Sequence, residues 1–210
     1  MNKDLGEMEI ETLESSNVDD LQAPFTEDLA LSLLKQPALR PEILELIAKK
    51  SALMKSRKVK LALVGHPKTP RHLLLPFLRH LFTFDLMRVA LTPTIPADIK
   101  VAAEESLINR LEKLSVGEKL SLARRASGRV AASLLDEPDR RVIDAALQNS
   151  RLTETAIIKR ISRRKTNRIL IDAICNHPKW KLRLEIIAAL KKENTATDEA
   201  VESASIVPNE

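Results

Sequence analysis

The sequence predicts an all-α fold, an α-solenoid of about six helix-pair repeats stacked in one row, on three observations. Aromatic residues make up 2% of the 210-residue chain, Tyr is absent and Gly occurs 4 times, whereas strands and their turns draw on aromatic and β-branched residues and on Gly. Leu, Ala, Lys, Arg and Glu dominate instead, which favours helix. Between acidic ends the apolar residues recur at helical spacing, and that body repeats itself at intervals of roughly thirty residues.

Taken in order, residues 1–28 are polar and acidic with no sustained apolar period. Such a stretch buries too little surface to offset the entropy of ordering, so it is expected to be a disordered tail. Residues 29–194 form the repeat domain, and residues 195–210 read as a second acidic, disordered tail. Six segments of the domain align: Leu33 to Ile43, Leu63 to Leu73, Val89 to Ile99, Leu122 to Ala132, Ala146 to Ala156 and Ile174 to Leu184. Each starts with an apolar residue closing a helix and meets a breaker four residues on, at Pro37, Pro67, Pro93, Ala126, Ser150 and Pro178. Pro lacks an amide hydrogen and clashes inside a helix but suits its first turn, so helices end there and restart. Pro41, Pro70, Pro96 and Pro138 stand where the next helices open, and Ser115 with Glu118 has capping-box spacing ahead of another.

The segments Leu63-Val64-Gly65-His66-Pro67-Lys68-Thr69-Pro70 and Leu134-Leu135-Asp136-Glu137-Pro138-Asp139-Arg140-Arg141-Val142 resemble the leucine-rich repeat variant, a relative of the HEAT and armadillo helical arrays. The resemblance covers roughly residues 29 to 193 and implies a curved right-handed α–α superhelix that binds macromolecules without fixing an activity. It departs from pattern in the third repeat, where Ala97 to Leu111 suggests a longer helix.

The formal charge of +5 conceals an asymmetry. The first 28 residues carry a surplus of 8 negative charges and the last 16 a surplus of 4, while the body holds 33 Lys or Arg against 16 Asp or Glu. A positive body of this size attracts polyanions and acidic surfaces. The candidate binding residues are Arg57, Lys58 and Lys60; Arg124, Arg125 and Arg129; Arg140 and Arg141; and Lys159, Arg160, Arg163, Arg164, Lys165 and Arg168. Arg57, Arg140 and Arg168 each lie six residues before the apolar residue closing their helix, so a stack places them on one side. Two readings stay open for these three: a positive stripe, or structural rungs to a neighbouring repeat. The acidic tails are expected to fold back on the basic body or to dock elsewhere.

Nothing assembles an obvious catalytic set. The chain has no Gly-rich phosphate loop, no paired Cys, no His-Glu-x-x-His and no Gly-x-Ser-x-Gly, so no cofactor or metal is expected. An enzyme reading would require a deep pocket holding a buried acid such as Asp85 or Glu104. His66 and His177 share a repeat position just before a breaker and read as helix-end caps. His72 and His80, eight apart, lie two turns from each other. Trp180 reads as packing of the last helix pair and Cys175 as a small buried hydrophobe. The single cysteine and the lack of a basic start followed by an apolar run point to a reducing, cytoplasmic setting, and no apolar stretch is long enough to span a membrane. The expected function is therefore a non-enzymatic scaffold whose basic face binds an acidic protein partner. The alternatives are sequence-nonspecific binding of a DNA or RNA backbone, and an enzyme on a HEAT-like scaffold.

Overall fold

The computed structural model describes residues 26–163 and 167–193, and every regular element among them is helical. None of these helices is long and apolar enough to cross a membrane. The assigned tails fall outside the described residues up to residue 25 and from residue 194 on, as do Arg164 and Lys165. The first described helix nevertheless begins at Glu27, inside the stretch assigned to the first tail. Thr26 starts it by accepting a hydrogen bond from the Leu29 amide at 3.3 Å, and Glu27 and Asp28 put negative charge at the positive end of the helix dipole.

The chain divides into two compact units, residues 1–106 and 107–210. In the first, α1 (Glu27–Leu33) is followed by α2 (Pro41–Lys49), α3 (Arg57–Gly65), α4 (Arg71–Leu78) and α5 (Thr83–Leu91). The 12-residue α6 (Ala97–Ile108), longer than any described helix before it, opens where the sequence suggested an extended helix and runs across the division. The second unit continues with α7 (Val116–Arg125), α8 (Gly128–Ser133), α9 (Arg140–Leu147), α10 (Glu154–Ile161), α11 (Arg168–Asn176) and α12 (184–193). The expected breakers fall just past the ends of α1, α3, α5, α7, α9 and α11, and Pro41 is the first residue of α2. Ser115 and Glu118 form the reciprocal capping box that opens α7.

Within the first unit α3 packs on α1, α4 and α5; within the second α9 packs on α7 and α11, and α10 on α8. The cores are almost wholly aliphatic. Ile43, Leu44, Ile47, Val59 and Leu63 are buried in the first unit, and Leu122, Val130, Leu134, Ile143, Ile157 and Ile174 in the second.

The turns are made without left-handed backbone: no described residue has a positive φ. Instead α2, α3, α5, α7 and α11 leave through an extended residue, Lys50, His66, Thr92, Ala126 and His177 respectively. At three turns a side chain reaches back to the preceding one. His66 places Nε2 2.9 Å from the Gln36 carbonyl, while its Nδ1 accepts from the Lys68 amide at 3.2 Å. Asn149 repeats the arrangement, donating from Nδ2 to the Ala123 and Ala126 carbonyls at 2.8 and 3.1 Å and accepting from the Arg151 amide at 2.8 Å. At His177 the ring accepts from Lys179 and Trp180 amides, and the buried Trp180 donates from Nε1 to the Leu147 carbonyl, 33 residues upstream, at 2.8 Å. His66 is thus both a cap and a clasp to the preceding turn, whereas the His177 ring bonds within its own turn and Trp180 makes the clasp there.

Cys175 departs from expectation. It is exposed, because the buried stripe of α11 runs through Leu170, Ala173 and Ile174 and leaves the next position facing solvent.

Candidate functional site

Among the cations singled out from the sequence, four converge. Ser127 caps α8 by accepting from the Val130 amide, and Thr153 caps α10 by accepting from the Ala156 amide. These starts set the two helices so that Gly128, Arg129, Ala132 and Ser133 of the first face Ala156, Lys159, Arg160 and Arg163 on and after the second. The facing residues line an open groove of about 510 Å³, which Ile108 and Thr153 complete. Its floor is made of small side chains and its rims of cations. On α10 Ala156, Lys159 and Arg160 follow the i, i+3, i+4 rule of one helix face, and Arg163 follows just past its end.

Gly128 is required here by close approach rather than by its dihedral angles, since a Cβ would run into the Arg151 carbonyl oxygen. Arg160 and Arg163 stand between this groove and a neighbouring one of about 620 Å³ that also reaches Leu111, Lys119, Asp136 and Glu137. Both guanidiniums donate to one oxygen of Asp136: Arg160 through Nη1, and Arg163 through Nη1 at 2.9 Å. Arg160 also donates from Nη2 to the Ser133 hydroxyl at 3.2 Å. Its side chain is 14% exposed, against 54% for Arg163 and 45% for Asp136. Burial holds the Arg160 guanidinium below its ordinary pKa; Asp136 opposes the shift and the charge of Arg163 adds to it. Lys119 and Glu137 form a half-buried pair at 2.7 Å, and Asn167 donates to the Glu137 carbonyl at 3.2 Å, so the segment carrying Asp136 is fixed on both sides.

The other candidates among the described residues do not join this groove. Arg57, the first residue of α3, grips both oxygens of the buried Asp85 on α5, at 2.6 and 2.8 Å, with its guanidinium 5.5 Å from the centre of the Phe82 ring. Arg140 and Arg168 are likewise the first residues of their helices. Arg140 pairs with Asp144 of its own helix at 2.9 Å, and Arg168 is exposed. The rung between neighbouring hairpins is therefore found at Arg57 and not at the other two. Arg141 pairs with Asp139 at 2.7 Å. Arg124 and Arg125 are exposed in the last turn of α7, where cations suit the helix dipole.

In the first unit Lys58 lines a separate groove of about 370 Å³ together with Arg88, which sequence reasoning did not single out; Lys60 is half-buried on α3. Arg88 sits in no cluster of like residues, so the sequence does not mark it out. Of the acids named for an enzyme reading, Asp85 has both oxygens occupied by Arg57, and Glu104 is half-buried on α6. His72 lies 3.8 Å from Glu45. Among the described residues, no three His, Cys, Asp or Glu side chains come together in a way that holds a metal ion.

Comparison with known protein families, with curated proteins and with solved structures finds no match to this chain.

Proposed function

We propose that this chain is a non-enzymatic interaction scaffold, a right-handed α-solenoid akin to the leucine-rich repeat variant and HEAT-like arrays, whose basic face binds an acidic protein surface. The observation that carries the reading is the groove between α8 and α10, where Arg129, Lys159, Arg160 and Arg163 flank a floor of Gly128, Ala132 and Ala156. Small floor residues let a partner's backbone approach, and the flanking cations complement its carboxylates. The packing of alternate helices on each other within each unit supports the stacked-hairpin reading.

Two features favour a protein partner over a nucleic-acid strand. Several of the cations already face carboxylates of the chain, Asp136 within the groove region itself, whereas a phosphate track calls for a row of unopposed cations. The second unit also lacks a platform for bases, because its one aromatic residue, Trp180, is buried.

Fluorescence anisotropy with labelled polyglutamate and with a DNA duplex of about 20 base pairs, titrated against NaCl from about 50 mM, tests the proposal. Tighter binding of polyglutamate, weakening with salt, is the expected result. Failure to bind polyglutamate at the lowest salt defeats the reading. Tighter binding of the duplex, with a linear fall of log affinity against log salt, replaces it with the nucleic-acid alternative.

A further inference from the structure

We infer that the groove between α3 and α5, in the first unit, docks a peptide segment of the partner that carries a carboxylate followed by aliphatic side chains. This inference rests on the acidic-partner reading above and adds to it a second contact, on a different pair of helices, with an apolar requirement. α3 presents Lys58, Leu61, Ala62 and Gly65 to the groove, the i, i+3, i+4 and i+7 positions of one helix face. Arg88 and Val89 of α5 face them across about 370 Å³ of open space. The Arg57–Asp85 ion pair joins the first turns of the two helices, so they lie side by side and run in one direction. On each helix the cation comes first: Leu61 and Gly65 follow Lys58, and Val89 and the buried Ile95 follow Arg88. The groove is therefore cationic toward one end and aliphatic toward the other.

The charge at the first end is unopposed by the elements that carry it. α3 has no acid, and the one acid of α5, Asp85, has both oxygens on Arg57. Among the described residues neither Lys58 nor Arg88, both exposed, forms an ion pair. An apolar floor alone suits any oily group, and the two cations select one that brings a carboxylate with it. Leu61, Ala62 and Gly65 are only half-buried, so the groove is a shallow trough for side chains of a segment laid along it and does not enclose a small molecule. Gly65 leaves the aliphatic end open: it has no positive φ, and a Cβ there meets no atom within 4 Å. The fold itself has no need of glycine at this point, and the missing side chain is room for a ligand. From Lys58 to Gly65 the trough runs for about 10 Å along the axis of α3. Two cations at one end of an aliphatic floor do not form the row that a nucleic-acid backbone requires.

The test uses the full chain and a labelled peptide of about 16 residues, Ala and Gln throughout except for two Glu, each followed four positions later by Leu, a step of about 6 Å on a helix. Three variants are compared with wild type: Lys58→Ser/Arg88→Ser, Gly65→Leu, and Lys35→Ser/Lys55→Ser, which removes the same charge from exposed positions of the same unit outside the groove. The first two are each expected to weaken binding about tenfold, and the third to stay within about twofold of wild type. Replacing both Leu of the peptide by Ala is expected to cost as much as Gly65→Leu. Equal losses in the two double variants overturn the site, as does a folded Gly65→Leu chain that binds like wild type. Should Gly65→Leu not fold, the Leu-to-Ala peptide decides, and binding as tight as that of the parent peptide overturns the apolar requirement. A wild-type chain that binds polyglutamate but not the peptide at low salt overturns this inference and leaves the acidic-partner reading standing; one that binds neither defeats both. A synthetic peptide of residues 1–25 that displaces the probe at lower concentration than the unlabelled probe does assigns the groove to the chain's own N-terminal segment and overturns the partner assignment. Sedimentation showing a wild-type dimer that Gly65→Leu dissociates assigns it to a second copy, with the same consequence. A DNA duplex that binds more tightly than the peptide, and loses as much on Lys58→Ser/Arg88→Ser, assigns the cations to phosphates and overturns the proposal.

Discussion

Gly117 and Gly128 open neighbouring helices, yet a methyl group meets open space at the first and the Arg151 carbonyl at the second. Neither has the positive φ that would make any side chain costly on dihedral grounds. Gly117→Ala is therefore expected to stabilise the chain by about 0.4–1 kcal/mol, mostly by restricting the unfolded state. Gly128→Ala is expected to destabilise it by about 1–3 kcal/mol, because backbone atoms cannot step aside as a flexible side chain would. Urea midpoints of the two variants, moving in opposite directions from wild type, check both expectations.

At the same scale the sequence disclosed types of residue better than pairs. That His66 and His177 occupy equivalent places was legible from the breaker register, and so was their role at helix ends. The bonds of His66 and Asn149 to the preceding turn were not, since a partner 23 to 30 residues away leaves no local mark. Asp136 was passed over for the same reason: in sequence it is one acid in an acidic turn, and only the fold carries Arg160 and Arg163 to it. Cys175 was misjudged because a residue type says less about exposure than its phase on the helix does.

Among the elements, α3 and α5 are joined by an ion pair with unequal halves: the Arg57 side chain is 59% exposed and that of Asp85 4%. The neighbouring carboxylate, chiefly through its hydrogen bonds, raises the already high pKa of Arg57. Arg57→Ala leaves a buried carboxylate without its counter-ion, whereas the double variant Arg57→Ala/Asp85→Ala removes the stranded charge as well. The expected outcome is a lower melting temperature for Arg57→Ala than for the double variant, and the reverse order would mean that Asp85 is satisfied by other groups.

The turn between α11 and α12 carries a pH dependence. Burial, followed by the charge of Lys179, holds His177 below its ordinary value of 6.5, with Asp144 opposing. The unfolded chain takes up a proton near the ordinary value while the folded chain resists it, so the stability is present above pH of about 6.5 and falls as pH drops below it. His177→Asn keeps an acceptor for the Lys179 amide and cannot titrate. Denaturation midpoints measured on both sides of that pH are expected to diverge, with wild type losing more than His177→Asn on acidification. The helical elements themselves were the most legible part of the chain. All six breakers fell outside helices, and the long third-repeat helix appeared as α6, because proline and capping residues act locally.

At the scale of the whole molecule the single Trp divides the optical signals between the two units. Trp180 lies in the second unit, buried and bonded to the Leu147 carbonyl, so its emission reports the unfolding of that unit, while helical circular dichroism reports both. Each unit has its own aliphatic core, and a chain with two cores departs readily from two-state unfolding. Urea titration is therefore expected to show a dichroism curve with two midpoints, one of them coinciding with the emission shift. Coincident single transitions would show that the units melt together. The charge of the molecule was legible from composition, but its division between groove cations and neutralised pairs was not, because formal charge counts Arg141 and Lys159 alike although one of them already faces a carboxylate.

The described bends of this protein, made with extended exits and no left-handed dihedral, carry a consequence for substitution. Where a corner depends on a left-handed glycine, a β-carbon there is costly whatever space surrounds it. Here a side chain stands at such an exit without dihedral strain, as His66, Thr92, Ala126 and His177 already do.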